Sequence, residues 1–454
     1  MKLRQLNGRR TVVWGLGKEG RAAARAALKA GASDVVAVVD DPPASAVVVA
    51  WSDAGLSGVP ILSGPTALAA CNAAEVVVLS PGISRYRPEV IELERRGVHV
   101  TNGTALFLAD QGANTIAITG SKGKSTVTLL TAHLLNALGR DAVAAGNLGT
   151  PLLDLLDTSC LVVAEVSSYQ AALVSSGPHV AVLTSLFPDH LPWHGNVERY
   201  YADKFRLFAS QGSSQHGLVN GADPIIDALL SNPALANVTT YATNDSEVRI
   251  DNGMLIYNDT PTFSLKVSQL PGTHNTINIA AAVAVLARAG IDIQAEAERL
   301  EAALAGFSPL PHRLEIINTV NGVTFVDDSL ATTPQAAIAA CNAFPSQPLT
   351  LLVGGLDRGI DYTPLITYLK ERATHSAVAL VAMGPAGRRI ASSLNSLEVC
   401  ICDDLPEAVH LAASLTSHGV VLFSPAAPSP ADYRTYEHRS HAFRISVEGF
   451  QRAP

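Results

Sequence analysis

The stretch Gly120-Ser121-Lys122-Gly123-Lys124-Ser125-Thr126 constrains the fold of this chain more than any other part of it. It follows Thr115-Ile-Ala-Ile-Thr119, a β-branched run that reads as a buried strand. It precedes Val127-Thr-Leu-Leu-Thr-Ala-His-Leu-Leu, which has helical character. A strand, a glycine-rich turn and a helix place backbone N–H groups and a positive dipole end around one point, which suits the phosphates of a nucleotide. Lys124 would reach the β- and γ-phosphates, and the hydroxyl of Ser125 or Thr126 would ligate Mg²⁺. A ligand-free Gly/Ser/Lys turn is the competing reading. The ordered co-occurrence of strand, loop, lysine, hydroxyl and helix weighs against it. Lys124 stands only four positions after Gly120. The loop is thus tighter than the usual G-x-x-x-x-G-K, which points to a particular P-loop subfamily and away from motors and GTPases.

At 454 residues the chain is too long for one ordinary core, and two or three domains are expected. A composition 48% hydrophobic and 16% charged fits a well-buried α/β protein and excludes a disordered one. The net charge of −8 argues against nucleic acid or an anionic membrane as a partner. Phosphate binding must therefore draw on basic residues concentrated locally. The five cysteines, at 71, 160, 341, 400 and 402, show no zinc spacing, and Cys400 and Cys402 read as strand positions. Reduced thiols are expected. The N-terminus has no apolar signal region, and no uncharged apolar run reaches about 18 residues, so a cytoplasmic protein is expected.

Strand and helix alternate from the start. Thr11–Trp14 reads as a strand, Gly15–Gly20 as a turn and Arg21–Ala30 as a helix, and Val35–Val39 leads to Asp40. Val76–Leu79 leads to Ser80-Pro81-Gly82, and Val98–Asn102 looks like the last strand of that sheet. Such alternation predicts a parallel sheet with helices on both faces. A second α/β segment opens near Asn114 and runs through strands Leu161–Glu165 and Val180–Thr184, a turn-rich stretch over 212–270, and helices over 276–289 and 295–304. The Pro-rich Phe307–His312 reads as a linker. A third segment opens with a hairpin around Asn321-Gly322, a strong turn signal, and continues with strands Leu349–Val353, Val378–Ala382 and Val420–Phe423.

Gly15-Leu16-Gly17-Lys18-Glu-Gly20 matches G-x-G-x-x-G, with Asp40 about 20 residues on. Alone it suggests a nicotinamide dinucleotide. With a P-loop downstream, another diphosphate-containing ligand at that helix N-terminus is favoured. Glu165, at the end of a hydrophobic strand, stands where a second Mg²⁺ ligand belongs, or else caps a turn. Asp189-His190, with His194 shortly after, is weak evidence for a metal or phosphate contact. Lys204 on its helix reads, by itself, as a solvated lysine. Asn275 and Asn278, after Gly272, suggest a helix cap or a ligand contact. The polar turns after Val326, Val353 and Phe423 are crevice positions of an open α/β sheet, and Arg313 could reach a phosphate between domains.

In this order the pieces resemble the Mur ligases, the ATP-dependent amino-acid-adding enzymes of peptidoglycan synthesis. The resemblance covers essentially the whole chain. It rests on Gly120–Thr126, Gly146-Asn147-Leu-Gly149, Glu165-Val-Ser-Ser-Tyr-Gln170, Asp189-His190, Lys204, Pro271-Gly-Thr-His-Asn275 and Leu310-Pro-His-Arg313. It implies three α/β domains: a Rossmann-like domain over 1–108, a central P-loop ATPase-like domain with a mixed sheet over 109–310, and a Rossmann-like domain over 311–454. Gly15–Gly20 and Ser80-Pro81-Gly82 make it most similar to the branch that adds glutamate to UDP-N-acetylmuramoyl-L-alanine. Gly15, Leu16, Gly17, Lys18, Asp40, Ser80, Pro81, Gly82, Asn147, Ser167 and Gln170 would then hold the UDP substrate rather than a nicotinamide cofactor. Gly120 to Thr126 would hold ATP, with Asn275 on adenine, Arg313 on phosphate and Asp328 on ribose. Lys124, Glu165, His190 and Lys204 would be catalytic. Two Mg²⁺ ions would be held by Ser125, Glu165, His190 and a carbamylated Lys204.

The chain departs from the branch's usual pattern. The family's Asp-His-Leu-Asp-Arg is here Asp189-His190-Leu191-Pro192-Trp193-His194, and the lysine expected after Asp-Ser is Leu330. Thr332, Arg358, Ser429 and Tyr436 would hold the incoming glutamate. An acidic acceptor needs two carboxylates neutralised. Arg358 can pair with one, whereas Leu330 pairs with nothing. Pro-Trp-His and Ser424-Pro-Ala-Ala-Pro-Ser429 resemble members that add L-glutamate, with a separate epimerase inverting it later, so the L-isomer is expected over the D-isomer. A monomer is expected. Folylpolyglutamate synthase shares the glutamate chemistry but lacks the N-terminal domain. A nicotinamide oxidoreductase and a non-catalytic nucleotide sensor are further alternatives.

Overall fold

The computed structural model describes residues 1–209, 215–235, 237–308, 312–430, 432–433 and 435–451, with the backbone alone at 450 and 451. Near the N-terminus, β1 (Arg10–Trp14), β2 (Asp34–Val39), β3 (Ile61–Ser63), β4 (Val76–Leu79) and β5 (His99–Asn102) form a parallel sheet in the order β3-β2-β1-β4-β5. The order reverses between β1 and β4, so the crevice lies beyond the carboxyl ends of those two strands. Gly15 and Ser80 stand there, and the helix Lys18–Lys29 begins there. A Cβ on Gly20 would lie 1.9 Å from the Gly15 carbonyl oxygen, so glycine is what lets this helix seat on its turn.

A second sheet holds β6 (Thr115–Thr119), β7 (Ala142–Gly146), β8 (Leu161–Glu165), β9 (Val180–Leu183), β10 (His216–Asn220) and β11 (Val238–Tyr241). All pair in parallel, in the order β11-β10-β9-β6-β8-β7. Every residue of β6 and β9 is buried, as inner strands covered on both faces require. Among the described residues of the central segment, antiparallel pairing is confined to a separate sheet of β12 (Val248–Asp251), β13 (Met254–Tyr257) and β14 (Thr260–Ser264). The mixed character expected of the central segment is therefore divided between two sheets.

A further sheet runs in the order β15-β16-β20-β17-β18-β19, from β15 (Glu315–Val320), β16 (Val323–Asp327), β17 (Leu349–Gly354), β18 (Val378–Met383), β19 (Glu398–Cys402) and β20 (Gly419–Phe423). The β15–β16 pair is antiparallel, turned at Asn321 and Gly322 with φ of 51° and 83°, the two positive angles that a tight hairpin needs. Residues Met1–Val267 with Thr276–Gly306 form one compact unit, and Ser268–Asn275 with Phe307–Pro454 form another. Among the described residues no helix is long and apolar enough to cross a membrane.

Candidate active site

The carboxyl ends of β6, β8 and β9 carry one polar cluster. A Cβ on Gly120, whose φ is 150°, would lie 2.0 Å from Thr184 Oγ1, so the loop runs against β9 only without a side chain there. Thr184 Oγ1 donates to the Lys122 carbonyl at 2.5 Å, and the Lys122 amide donates to Ser185 Oγ at 2.8 Å. Ser121 Oγ donates to the Phe187 carbonyl and lies 2.9 Å from the Tyr200 hydroxyl. Gly123 is the left-handed N-cap of the helix Lys124–Ala137. Lys124 Nζ donates back to the carbonyls of Gly120 and Ser121, at 3.0 and 3.2 Å. Ser125 and Thr126 are buried in the first helical turn.

Glu165 ends β8 and is buried. Its Oε1 accepts from Asn147 Nδ2 at 2.6 Å, while Oε2 has no partner among the described residues. A buried carboxylate oxygen with no donor is costly unless a cation takes it. Glu165 with the Ser125 hydroxyl offers the hard oxygen donors that suit Mg²⁺.

Lys204 lies on the helix Val197–Ala209 and is only 2% exposed, which corrects the solvated lysine that its helix alone suggests. It donates to the Gly120 carbonyl at 2.8 Å, with Nζ 4.8 Å from the Tyr200 ring centre. Burial, and then the Lys124 charge, push its pKa well below the ordinary lysine value, against Asp189, Glu165 and Asp203. His190 is half-exposed at φ 54°, with Nε2 3.6 Å from Asp189. Partial burial lowers its pKa, Asp189 opposes this, and Lys204, Lys124 and Lys122 add to the lowering.

In the N-terminal crevice, Ser80 Oγ is buried beside Gly15 and has no partner among the described residues. A cavity of about 460 Å³ opens nearby, lined by Leu16, Gly17, Arg21, Asp41 and Val47 among others. Lys18 and Gly82 are exposed, and Pro81 accepts from Trp193 Nε1 at 3.0 Å. Asp40 pairs with Arg87 at 2.7 Å. Ser167 and Gln170 form a capping box on the helix Ser168–Ala171, and Gln170 Nε2 donates to Glu19 at 2.9 Å. Burial raises the Glu19 pKa against that bond. The side chains of Asn147, Ser167 and Gln170, offered by the sequence to the substrate, are thus bonded within the protein.

In the second unit, Asp328 follows β16 and accepts from Ser424 Oγ at 2.7 Å. Burial pushes its carboxyl up to about 7, against the Ser424 bond and the Arg313 charge. Asp327 accepts from the Ser329 amide at 2.9 Å and from the Ser440 hydroxyl, with His312 Nδ1 3.2 Å away. Thr332, Ser429, Tyr436 and Arg313 are half-buried, and the Tyr436 ring lies 5.7 Å from that of His312. Arg358 is exposed, next to Asp357, which Arg389 holds at 2.9 Å. Asn275 is buried and donates to the Pro271 carbonyl at 2.7 Å. Leu310 and Pro311 lie outside the described residues.

The model of the Mur ligase middle domain matches residues 118–286, and that of the Mur ligase, glutamate ligase domain matches 312–427. A UDP-N-acetylmuramoyl-L-alanine--L-glutamate ligase of a Micromonospora species is 44% identical over 452 residues, 98% of each chain. The ligase of the same name from Salinispora tropica is 43% identical over 456 residues, covering 98% of this chain and 99% of its own. The chain belongs to the Mur ligase family. Its fold is also that of MurF from Acinetobacter baumannii, at a TM-score of 0.60 and 18% identity over 96% of this chain and 90% of that one. MurF from Thermotoga maritima, solved with ADP, has a TM-score of 0.54 at 17% identity over 99% and 97% of the two chains.

Sequence reasoning misses several residues of this Mur ligase. Tyr200 carries one available signal, since it stands one helical turn before Lys204. Asp203, and the bonds that His194 makes, carry none. Arg21 shows only as the neighbour of a glycine turn, and Asp41 only as the neighbour of Asp40. Arg439 is 2% exposed and donates to the carbonyls of Ser329 at 2.9 Å and Ala427 at 3.2 Å, with that of Gly354 at 3.5 Å. It thereby ties together the turns after β16, β17 and β20, and burial pushes its pKa down to about 10. A lone arginine on a mixed helix gives no hint of that.

Proposed function

We propose that the chain adds glutamate, as the L-isomer, to UDP-N-acetylmuramoyl-L-alanine at the expense of ATP. The observation that carries the reading is the buried Glu165 Oε2, with no partner among the described residues, at the strand end beside the glycine-rich loop. The stereochemical choice is supported by the name of the 44% identical relative, an L-glutamate ligase. In this reading residues 1–108 bind the UDP substrate, 109–310 bind ATP and 311–454 bind the acceptor.

The phosphates of ATP lie over the backbone of Gly120 to Thr126, and Lys124 turns from its loop carbonyls to the transferring phosphoryl group. Ser125, Glu165, His190 and a carbamylated Lys204 would hold Mg²⁺, which supplies charge neutralisation on the phosphates. The lowered Lys204 pKa supports carbamylation, because only the neutral amine adds CO₂. The alanyl carboxylate of the substrate attacks the γ-phosphorus. The bond to the bridging oxygen breaks with its electrons leaving on ADP, and an acyl phosphate results. The neutral amine of glutamate attacks the acyl carbon and loses a proton. The C–O bond to phosphate then breaks to leave an amide. Asn275, Arg313 and Asp328 contact the nucleotide. Thr332, Arg358, Ser429 and Tyr436 hold the acceptor, with Arg358 pairing one carboxylate. A cytoplasmic, monomeric enzyme belongs to the same proposal.

Phosphate release from ATP and Mg²⁺ with UDP-N-acetylmuramoyl-L-alanine, offered L- and D-glutamate in parallel, tests it. Release with L-glutamate alone is expected. Release with D-glutamate alone would reverse the stereochemical part, and release with neither would overturn the ligase reading.

A further inference from the structure

His194 is wholly buried and bonded at both ring nitrogens. Nδ1 lies 2.7 Å from Asp203 Oδ2, and Nε2 lies 2.9 Å from Ser168 Oγ. A carboxylate only accepts, so Nδ1 donates to Asp203, and Nε2 shares a second hydrogen bond with the Ser168 hydroxyl. Asp203 takes a second bond on Oδ1 from the Tyr86 hydroxyl at 2.9 Å. The order Ser168–His194–Asp203 has the bonding of a nucleophilic triad. Ser168 is only 2% exposed, however, which leaves no room for a substrate at its oxygen. The network therefore serves to hold things in place.

What it holds is specific. Ser168 is three residues after Glu165, Asp203 is the neighbour of Lys204 on one helix, and His194 closes the short helix that His190 precedes. Tyr86 belongs to the loop that starts at Ser80-Pro81-Gly82. Trp193 reinforces the link. It stacks on Tyr169 at 4.5 Å, and its Nε1 donates to the Pro81 carbonyl at 3.0 Å. One buried imidazole thus joins the segments carrying three candidate metal-side groups to the turn expected to meet the UDP substrate.

We propose that His194 and Asp203 are positioning residues, which hold Glu165, His190 and Lys204 in register with the substrate turn through Ser168 and Tyr86. The proposal rests on the ligase reading above. Hydrogen-bond partners one step removed from a reactive cluster typically govern activity by 10- to 100-fold. Asp203→Asn and His194→Phe should accordingly lower kcat by about tenfold or more. KM for ATP, glutamate and the UDP substrate should stay within about threefold, since none of them touches the pair. His194→Asn, which restores a donor toward Asp203, should recover part of the loss. Ser168→Ala and Tyr86→Phe cut the chain at either end with little change in volume, and should lower kcat several-fold even if the buried-charge variants fold poorly.

The full-length chain is assayed by phosphate release, with its melting temperature measured beside it. A kcat loss at unchanged KM and near-native melting, shared by Ser168→Ala and Tyr86→Phe, is the expected result. Unchanged kcat in those two variants, or a loss that tracks melting temperature alone, would overturn the proposal while leaving the ligase reading intact. A wild-type chain that turns over neither glutamate isomer would overturn both.

Discussion

At Lys204 two physical demands oppose each other. Burial and Lys124 disfavour the ammonium, whereas Asp189, Glu165 and Asp203 favour it; the first pair wins and the pKa falls. The amine is then able to take up CO₂, so ¹³C-bicarbonate should give a carbamate NMR signal in the wild type that Lys204→Arg abolishes. The same signal in both proteins would remove Lys204 as its source. On the proposed reading, Lys124→Ala should lose ATP turnover by at least about a hundredfold, since it removes the charge that would turn to the transferring phosphoryl group; normal phosphate release would remove the P-loop assignment. Asp328 shows the opposite sign. Its carboxyl is raised from 3.8 to about 7 by burial, so the folded chain prefers the protonated form. The stability this group contributes is complete below the unfolded pKa and is lost as pH rises through about 7. Asp328→Asn should therefore gain relative to wild type on going from pH 4 to 8.5, on the order of a few kcal/mol by urea unfolding. Parallel pH curves for the two proteins would refute the assignment.

The elements that position these side chains are set by local rules that the sequence displays openly. Thr115–Thr119 is apolar and β-branched, Gly120 and Gly123 have angles that other residues avoid, and Lys124 opens a helix, so strand, loop and helix are readable in order. Asn321-Gly322 likewise makes its hairpin. Gly120→Ala would place a Cβ 2.0 Å from Thr184 Oγ1. It should cost about 1–3 kcal/mol of stability and weaken ATP binding, both measurable by thermal melting with and without nucleotide. An unaltered melt would mean that the loop is free to move off β9. The division of the central strands between a parallel and an antiparallel sheet was not readable in this way, because pairing partners are chosen across distances that period and propensity do not encode.

Over the whole molecule, binding reports on assembled crevices, and Ser80 gives a clean test. Its hydroxyl is buried beside the fingerprint turn, with no partner among the described residues. UDP at a hundred times its Kd should stabilise the chain by about 2.7 kcal/mol, and Ser80→Ala should weaken UDP by up to about tenfold. Unchanged UDP affinity would mean that the hydroxyl serves no ligand. Sequence alone determined the α/β class, the succession of parallel sheets, the strand, glycine-rich loop and helix at Thr115–Ala137, and the family, because each depends on residues close together in the chain or on motifs in fixed order. It could not tell that Lys204 is buried, that Gln170 and Asn147 are bonded to Glu19 and Glu165, or that Arg439 ties three strand ends together. Nor could it pair His194 with Asp203 and Ser168. Those facts depend on which distant segments share a buried space, and a buried polar group finds its partner only once packing has excluded water.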